Sequence, residues 1–286
     1  MSNFIKRTIS GIGFAAIMLA AFLTNEYVFG AVMLMCLIVM MWEFLHITCG
    51  SEYKYSQLLS ILAGATLFTL VYCHKAFDLP GRLIILAFVP VFILMINSLY
   101  VKDKSRFDKF ANLYTAILYI AVPWSVLNFA VFAQQGGAFD GRLLLCFFGI
   151  IWGSDVGAYL FGITLGQKYG KKLFPSISPK KSWIGFWGGM LMAIGVSVAL
   201  YYFDLFPPFF ASESANVCNY AAMAVLLHVT GVYGDLIESQ WKRHYNVKDS
   251  GFIIPGHGGL LDRFDSALIA IPMGIIYLVV AHVMHI

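Results

Sequence analysis

The run WIGFWGGMLMAIGVSVALYYF, residues 183–203, contains no charged side chain. A helix of about 20 such residues spans the roughly 30 Å hydrocarbon core of a bilayer. A helix is the expected form, because every backbone N–H and C=O in hydrocarbon must find its hydrogen-bond partner inside the segment. The run therefore predicts a transmembrane helix, and similar runs recur along the chain.

The composition of all 286 residues indicates a membrane protein. Hydrophobic residues make up 60% of the chain and charged residues 12%, and the mean hydropathy is +0.78. Soluble domains contain about 45–50% apolar residues. Apolar segments long enough to be considered as spans lie near residues 9–24, 28–48, 58–73, 83–100, 111–133, 143–166, 183–203, 219–239 and 266–284. We predict an all-α, polytopic integral membrane protein with about nine transmembrane helices.

The distribution of Lys and Arg predicts the orientation of these helices. If the N-terminus is cytoplasmic, sixteen of the 19 Lys and Arg residues fall on the cytoplasmic side, and only Lys75, Arg82 and Arg142 fall on the other. This agrees with the excess of positive charge in cytoplasmic loops of membrane proteins. We therefore expect a cytoplasmic N-terminus and, after nine spans, a C-terminus on the opposite side.

Polar chemistry is concentrated in the second half of the chain. Two loops, 167–182 and 240–265, are rich in cations, and the predicted orientation places both in the cytoplasm, where nucleotides are found. We predict that residues 1–142 form a scaffold involved in dimer formation or lipid access. Residues 143–286, with the two loops, are predicted to form the catalytic region.

The end of the eighth apolar segment presents polar side chains on one helix face. At about 100° per residue, Asp235, Glu238, Ser239 and Lys242 fall within an arc of roughly 100°. An i,i+4 ion pair between Glu238 and Lys242 is an alternative explanation for those two residues. Asp235 lies deeper in the segment, where an ionised carboxylate is costly and is a functional candidate by default.

Asp262 and Asp265 are spaced i,i+3 at the start of the last apolar segment. Acidic residues at a helix start can simply cap it. Together with Asp235 and the neighbouring Lys and Arg residues, however, they match a site for a hard cation and phosphate. Magnesium typically uses one or two carboxylates and completes its coordination with water and substrate phosphate oxygens.

The turn Gly256-His257-Gly258-Gly259 would let backbone N–H groups approach anionic oxygens at a helix N-terminus. His257 could act as a general base, donate to phosphate, or only stabilise its own turn. Neither a Walker loop nor a GxGxxG fingerprint is present, so a P-loop or Rossmann nucleotide site is not supported.

The run Ser239–Asp265 resembles the signature of phosphatidate cytidylyltransferases, also called CDP-diacylglycerol synthases, and departs from it at Trp241. A second stretch is similar to the mid-chain pattern of that family. It comprises Ser154-Asp155 through Gly162, followed by Ser178-Pro179-Lys180-Lys181-Ser182 through Gly185. Ile184 stands where the family often has an acid, so an essential carboxylate at that position is excluded.

The resemblance implies transfer of a cytidylyl group from CTP to phosphatidic acid, which gives CDP-diacylglycerol and pyrophosphate. It also implies a Mg²⁺ requirement, with room for a second cation, and a homodimer in the inner membrane whose active site faces the cytoplasm. Nucleic acid is not an expected partner. The resemblance implies three metal ligands, Asp235, Asp262 and Asp265. The residues that it implies for catalysis are Asp235, Ser239, Lys242, Arg243, Lys248, Asp249, His257 and Arg263. The residues that it implies for substrate binding are Asp155, Ser178, Lys180, Lys181, Ser182, Gly258 and Gly259.

Three points stay open on the sequence alone. Asp155 could face a polar substrate pocket or belong to a buried structural pair. His228 fits a hydrogen-bonded residue between helices better than a ligand. A secondary transporter, or another CTP-dependent lipid enzyme such as a polyprenol kinase, is the alternative function. A transporter would place its binding residues near the bilayer midplane in both halves of the chain.

Overall fold

The structure is a computed structural model that describes residues 3–101, 107–132, 138–205, 212–256 and 258–281, with only the backbone for residues 3–7. The chain divides into two compact units. The first comprises Met1–Asp140 and His244–Phe264, and the second comprises Gly141–Arg243 and Asp265–Ile286.

Membrane-spanning helices dominate the architecture, as predicted. Within the described residues, eight helical segments are long and apolar enough to cross a bilayer. The first predicted span corresponds to a shorter apolar helix, Thr8–Leu23. The prediction of an all-α polytopic membrane protein is confirmed, and the orientation of its termini stays a prediction.

The first unit is built from helices interrupted by tighter and wider turns. Its elements are α1 (Asn3–Leu23), α2 (Glu26–Cys49), α3 (Lys54–Phe77), a 3₁₀ segment (Gly81–Ala87) that continues into α4 (Phe88–Leu99), a 3₁₀ turn (Phe107–Phe110), α5 (Ala111–Ala116), a π-helical turn (Ile117–Ala121), α6 (Val122–Val131) and the short α11 (Leu261–Phe264). Asn25 begins α2 by accepting the amide of Val28 at 3.0 Å, which satisfies one of the amides at the helix start.

Trp124 is central to the core of the first unit. Its side chain is fully buried, and its indole Nε1 donates to the carbonyl oxygen of Met33 at 2.8 Å. The indole contacts the ring of Phe264 with centroids 4.8 Å apart, and Phe264 also contacts Phe14 at 5.7 Å. Because Trp124 has a partner for its only donor, a large aromatic surface is buried here without an unsatisfied polar group.

The segment 244–264 packs with the first unit, whereas the predicted division at residues 142 and 143 placed it with the second half. The reason is that helices of the first unit hold this segment. Glu43 on α2 accepts the backbone amides of Leu260 and Leu261, and Asn112 on α5 donates to the Tyr245 hydroxyl at 3.0 Å. The division of roles between residues 1–142 and 143–286 stays a prediction.

The second unit combines long helices with a small β-hairpin. Its elements are α7 (Arg142–Phe161), a π-helical turn (Gly162–Gly166), α8 (Gln167–Tyr169), β1 (Lys172–Phe174), β2 (Ser178–Ser182), α9 (Trp183–Tyr202), α10 (Glu213–His244) and α12 (Ala267–Val280). The two strands are antiparallel, with Lys172 opposite Ser182 and Phe174 opposite Ser178. Within the described residues, β1 and β2 are the only strands, and the other regular elements are helices.

Glycines allow α7 and α9 to pack closely. A β-carbon at Gly157 of α7 would lie 2.9 Å from the carbonyl oxygen of Gly188 and 2.6 Å from the β-carbon of Met192. A β-carbon at Gly189 of α9 would lie 2.9 Å from the carbonyl oxygen of Ser154. Small residues that let backbones approach are a common basis of helix association in membranes.

This packing predicts a position-specific effect of adding one methyl group. We expect Gly157→Ala to lower the Tm of the detergent-solubilised protein by about 5 °C, because the new β-carbon overlaps α9. Gly195→Ala on α9 is the matched control, since a β-carbon there meets nothing within 4 Å. Thermal unfolding of both variants measures the difference, and equal Tm values would contradict the close packing of α7 on α9.

Candidate functional site

The second unit contains a cavity of about 620 Å³ that gathers several of the predicted site residues. Asp155 and Tyr159 come from α7, Lys180 and Lys181 from β2, and Asp235 from α10. The remaining lining residues are Ala158, Gly162, Ile163, Gln167, Leu173, Ser182, Gly185, Phe186 and Val232. We refer to this space as the hairpin cavity.

The central contact of the hairpin cavity is an ion pair between two predicted site residues. Lys181 Nζ lies 2.6 Å from Asp235 Oδ2, and both side chains are only partly exposed. The Ser239 hydroxyl, one turn further along α10, donates to Asp235 Oδ1 at 3.1 Å. Both oxygens of Asp235 therefore have partners, and the carboxylate is held facing the cation of the hairpin.

Local backbone contacts set the position of the two lysines. The Gln167 side-chain amide donates to the carbonyl oxygen of Lys180 at 3.0 Å, which ties β2 to the start of α8. Ser182 has an extended backbone, and its hydroxyl accepts the amide of Gly185 at 3.2 Å. Ser182 thus ends the strand and begins α9 as its N-cap.

Acidic side chains accumulate near this ion pair. Asp265 interacts electrostatically with Asp235 and Asp155, and with the opposite charge of Lys242. Its Oδ1 accepts the amide of Ser266 at 2.7 Å. Three carboxylates close together repel one another, so Lys181 and Lys242 supply compensating charge.

The predicted helix face on α10 is confirmed in part. Lys242 forms an ion pair with Glu238, which was the alternative explanation for these two residues, and Ser239 contacts Asp235 as the spacing indicated. Arg243 directs its Nε toward the carbonyl oxygen of Ile177 at 3.5 Å. The phosphate-binding roles of Lys242 and Arg243 stay predictions.

The carboxylates of the second unit fit a divalent cation only in combination with a substrate. Within the described residues, no three His, Cys, Asp or Glu side chains are arranged as a ready metal site. Asp235 and Asp265 nevertheless place two carboxylates within electrostatic range of each other. Two carboxylates suffice for Mg²⁺ when phosphate oxygens and water fill the other positions. These two residues therefore fit the ion.

In the first unit, Asp262 organises the loop that precedes α11. Its Oδ2 accepts the amide of Ser250 at 2.9 Å and the amide of Gly259 at 2.8 Å. Gly258 has φ +85°, a conformation that glycine adopts at no steric cost. These contacts match the capping alternative for Asp262, and its role as a metal ligand stays a prediction.

Three other predicted residues, Lys248, Asp249 and Arg263, are accessible. Lys248 and Asp249 are exposed and line a second cavity of about 770 Å³ together with Trp42 and His46, whose rings stack at 5.3 Å. Arg263 is exposed on α11. His257 lies outside the described residues. The predicted roles of these four residues are untested by the geometry.

Two further expectations concern side chains between α7, α9 and α10. The His228 Nδ1 lies 2.6 Å from the Ser154 hydroxyl, and its ring packs on Phe186 with centroids 4.7 Å apart. His228 is thus a hydrogen-bonded residue between helices, as predicted. Asp155, adjacent to Ser154, lines the hairpin cavity, and its role in substrate binding stays a prediction.

Sequence reasoning missed Glu43 and Ser250. Glu43 is fully buried on α2, and its carboxylate accepts the Ser250 hydroxyl at 3.2 Å as well as two loop amides. A signal for Glu43 was available, because it is the acidic residue inside the apolar segment 28–48 and such residues are functional candidates. No comparable signal marks Ser250, since serine is common in loops.

Comparison with known proteins identifies several relatives that share one name. A protein named phosphatidate cytidylyltransferase from Staphylococcus aureus (strain COL) is 38% identical over 166 residues, which cover 58% of this chain and 60% of the relative. Proteins of that name from Staphylococcus haemolyticus and Staphylococcus epidermidis are 35% and 37% identical, covering 64% and 58% of this chain and 64% and 60% of the relatives. The chain thus matches less than two thirds of the length of these relatives. A family model described as the cytidylyltransferase family matches residues 5–281, and the chain therefore belongs to that family.

Proposed function

We propose that this protein transfers a cytidylyl group from CTP to phosphatidic acid, giving CDP-diacylglycerol and pyrophosphate. The observation that carries the proposal is the hairpin cavity, which Lys180 lines and in which Lys181 pairs with Asp235 within an apolar helical unit. The Staphylococcus relatives named phosphatidate cytidylyltransferase support the same reaction.

The reaction joins two anions at phosphorus. An oxygen of the lipid phosphate attacks the α-phosphorus of CTP, a new P–O bond forms, and the bond between the α-phosphorus and the bridging oxygen breaks to release pyrophosphate. No covalent protein intermediate is needed. The enzyme mainly has to hold both phosphates in line and reduce their repulsion.

The residues of the hairpin cavity suit this task. A substrate phosphate oxygen that binds Lys181 replaces the Asp235 carboxylate as the partner of that ammonium group. Lys180 adds a second cation from the same strand, and phosphate contacts to charged donors are among the stronger hydrogen bonds. The Ser239 hydroxyl keeps Asp235 oriented while the lysine changes partners.

Mg²⁺ is the proposed cofactor, with Asp235 and Asp265 as the residues that would hold it. When bound, it would neutralise phosphate oxygens and polarise the α-phosphoryl group. Asp262 is kept as a further proposed ligand, and a second cation remains part of the proposal.

We also propose the cellular setting. The excess of Lys and Arg in the loops 167–182 and 240–265 supports a cytoplasmic orientation of the active site in the inner membrane, with a cytoplasmic N-terminus. Lipid substrate then arrives from the bilayer and CTP from the cytoplasm. A homodimer is proposed as the working assembly.

An assay with purified protein tests the reaction. We expect detergent-solubilised protein with CTP, Mg²⁺ and phosphatidic acid to release pyrophosphate and form CDP-diacylglycerol in equal amounts. Replacing phosphatidic acid with a polyprenol should give no product, which distinguishes this function from a CTP-dependent polyprenol kinase. CDP release without a cytidylyl-lipid product, or no turnover with any divalent cation, would contradict the proposal.

Asp235→Asn should lower kcat by about 100-fold or more, because it removes the charge that faces Lys181 and leaves the side-chain size unchanged. Asp204→Asn is the matched control, since Asp204 is exposed after α9 and its φ of +55° is tolerated by asparagine. Steady-state rates of both variants, with size-exclusion profiles to confirm folding, give the comparison. Similar activities would remove Asp235 from the proposed site.

Two substitutions of Asp262 separate its loop contacts from its charge. Asp262→Asn retains a carbonyl oxygen that can accept the amides of Ser250 and Gly259, whereas Asp262→Ala removes this acceptor. We expect both variants to lose activity, and only the alanine variant to show faster hydrogen exchange at these two amides. Near-normal activity of the asparagine variant would show that Asp262 acts through the loop alone.

A further inference from the structure

The carboxylate of Glu43 lies inside the first unit and contacts the loop that precedes α11. Its Oε1 accepts the amide of Leu260 at 3.0 Å, and its Oε2 accepts the amide of Leu261 at 2.8 Å and the Ser250 hydroxyl at 3.2 Å. The side chain is 0% exposed. All three contacts cross more than 200 positions of sequence, from α2 to residues 250–261.

Burying the Glu43 carboxylate lowers the stability of the fold unless its charge is fully hydrogen-bonded. Moving a carboxylate out of water costs several kcal/mol even after the surroundings relax. A methylene-rich side chain in the same place would pack without this cost. The carboxylate therefore has a use that an apolar residue cannot supply, which is to accept several backbone donors at once.

The loop relies on side-chain acceptors because it is not a regular element. Between residues 248 and 262, Ile254 donates its amide to the carbonyl oxygen of Gly258. Glu43 and Asp262 together accept the amides of Ser250, Gly259, Leu260 and Leu261. Buried backbone donors need such partners, so these two carboxylates determine the path of the loop.

Ser250 links the two carboxylates. Its hydroxyl donates to Glu43 Oε2 and accepts the amide of Asp262 at 3.3 Å, while its own amide donates to Asp262 Oδ2. A displacement of the Glu43 carboxylate is thus transmitted to Asp262 through one side chain.

Glycines in the loop are required by the close approach of Glu43. A β-carbon at Gly259 would lie 2.7 Å from Glu43 Oε2, and a β-carbon at Gly251 would lie 2.9 Å from Glu43 Cδ. Real β-carbons do not approach other atoms so closely, so a side chain at Gly251 would require the carboxylate to move. A β-carbon at Gly259 would also overlap the Ser250 hydroxyl and lie 2.6 Å from the backbone nitrogen of Gly251. Gly251 is thereby explained by the approach of a carboxylate from α2, and Gly259 by the close approach of Ser250, Gly251 and that carboxylate together.

We propose that Glu43 is a positioning residue that fixes the backbone at Ser250, Leu260 and Leu261 and, through it, the placement of Lys248, Asp249 and Asp262. The inference that this placement supports turnover rests on the proposed function. The inference that Glu43 holds the loop rests on the contacts alone.

Hydrogen exchange of the full-length protein in detergent tests the structural part without any assay of activity. In the wild type, the amides of Leu260 and Leu261 should be protected. Glu43→Gln leaves one acceptor oxygen and places an amide group against the loop donors, so we expect these two amides to exchange at least about 10-fold faster. Unchanged protection would overturn the proposal. Should Glu43→Gln not fold, Ser250→Ala serves instead, with the same expectation for the amide of Asp262.

Kinetics test the functional part. Glu43→Gln should lower kcat/KM for CTP about 10–100-fold, with part of the change in KM, as expected when a residue that orients a site is altered. A loss of folded protein cannot raise KM, because KM does not depend on enzyme concentration. Ser60→Ala is the matched control: Ser60 is a buried serine of the first unit whose hydroxyl donates to Leu113 at 2.7 Å, far in sequence from the loop.

The outcomes separate the two proposals. Loosened loop amides together with a changed KM, and a Ser60→Ala variant that behaves as wild type, support a positioning role. The role of Glu43 in turnover is overturned if the loop amides exchange faster while kcat and KM stay unchanged. It is also overturned if kcat alone falls, by the same factor as the amount of folded protein. A wild-type protein that makes no CDP-diacylglycerol refutes the proposed function, whereas the exchange rates still decide whether Glu43 holds the loop.

Discussion

Every backbone amide and carbonyl in a hydrocarbon environment needs a partner within the protein, and this constraint shapes both units. Helices satisfy it within each segment, which is why apolar helices dominate the described chain. Buried backbone amides outside the bilayer need partners as well. In the irregular segment between α10 and α11, the carboxylates of Glu43 and Asp262 accept the amides of Ser250, Gly259, Leu260 and Leu261. In the first unit, acidic side chains therefore do part of the work that regular secondary structure does elsewhere.

In the second unit, acidic side chains line a cavity instead of accepting the amides of a loop. Asp155, Asp235 and Asp265 are close enough to interact, and Lys181 and Lys242 offset their repulsion. The hairpin of β1 and β2 brings Lys181 from a distant part of the sequence to α10. In the proposed reaction, a phosphate of the substrate would replace a carboxylate as the partner of Lys181, so that the cation does not lose its counter-charge.

The fold was largely predictable, because apolar runs of about 20 residues have few alternatives to a membrane helix. Within the site, the shared face of Asp235, Ser239 and Lys242 followed from helical spacing. The pairing of Lys181 with Asp235 was not predictable from spacing, since the two residues lie on elements far apart in sequence. Glu43 was overlooked although its position in an apolar segment marked it. The inclusion of residues 244–264 in the first compact unit was not predictable from the order of the chain, because distant side chains such as Glu43 supply the hydrogen bonds.

The long sequence separation between Glu43 and its partners has a consequence for biosynthesis. Ser250 follows Glu43 by 207 positions, so α2 leaves the ribosome well before the donors that its carboxylate requires have been translated. Until then the Glu43 side chain must stay protonated, remain in contact with water, or form a temporary hydrogen bond with another group during insertion. The first unit therefore reaches its final structure only after most of the second unit has been translated, so its folding is completed late in synthesis of the chain.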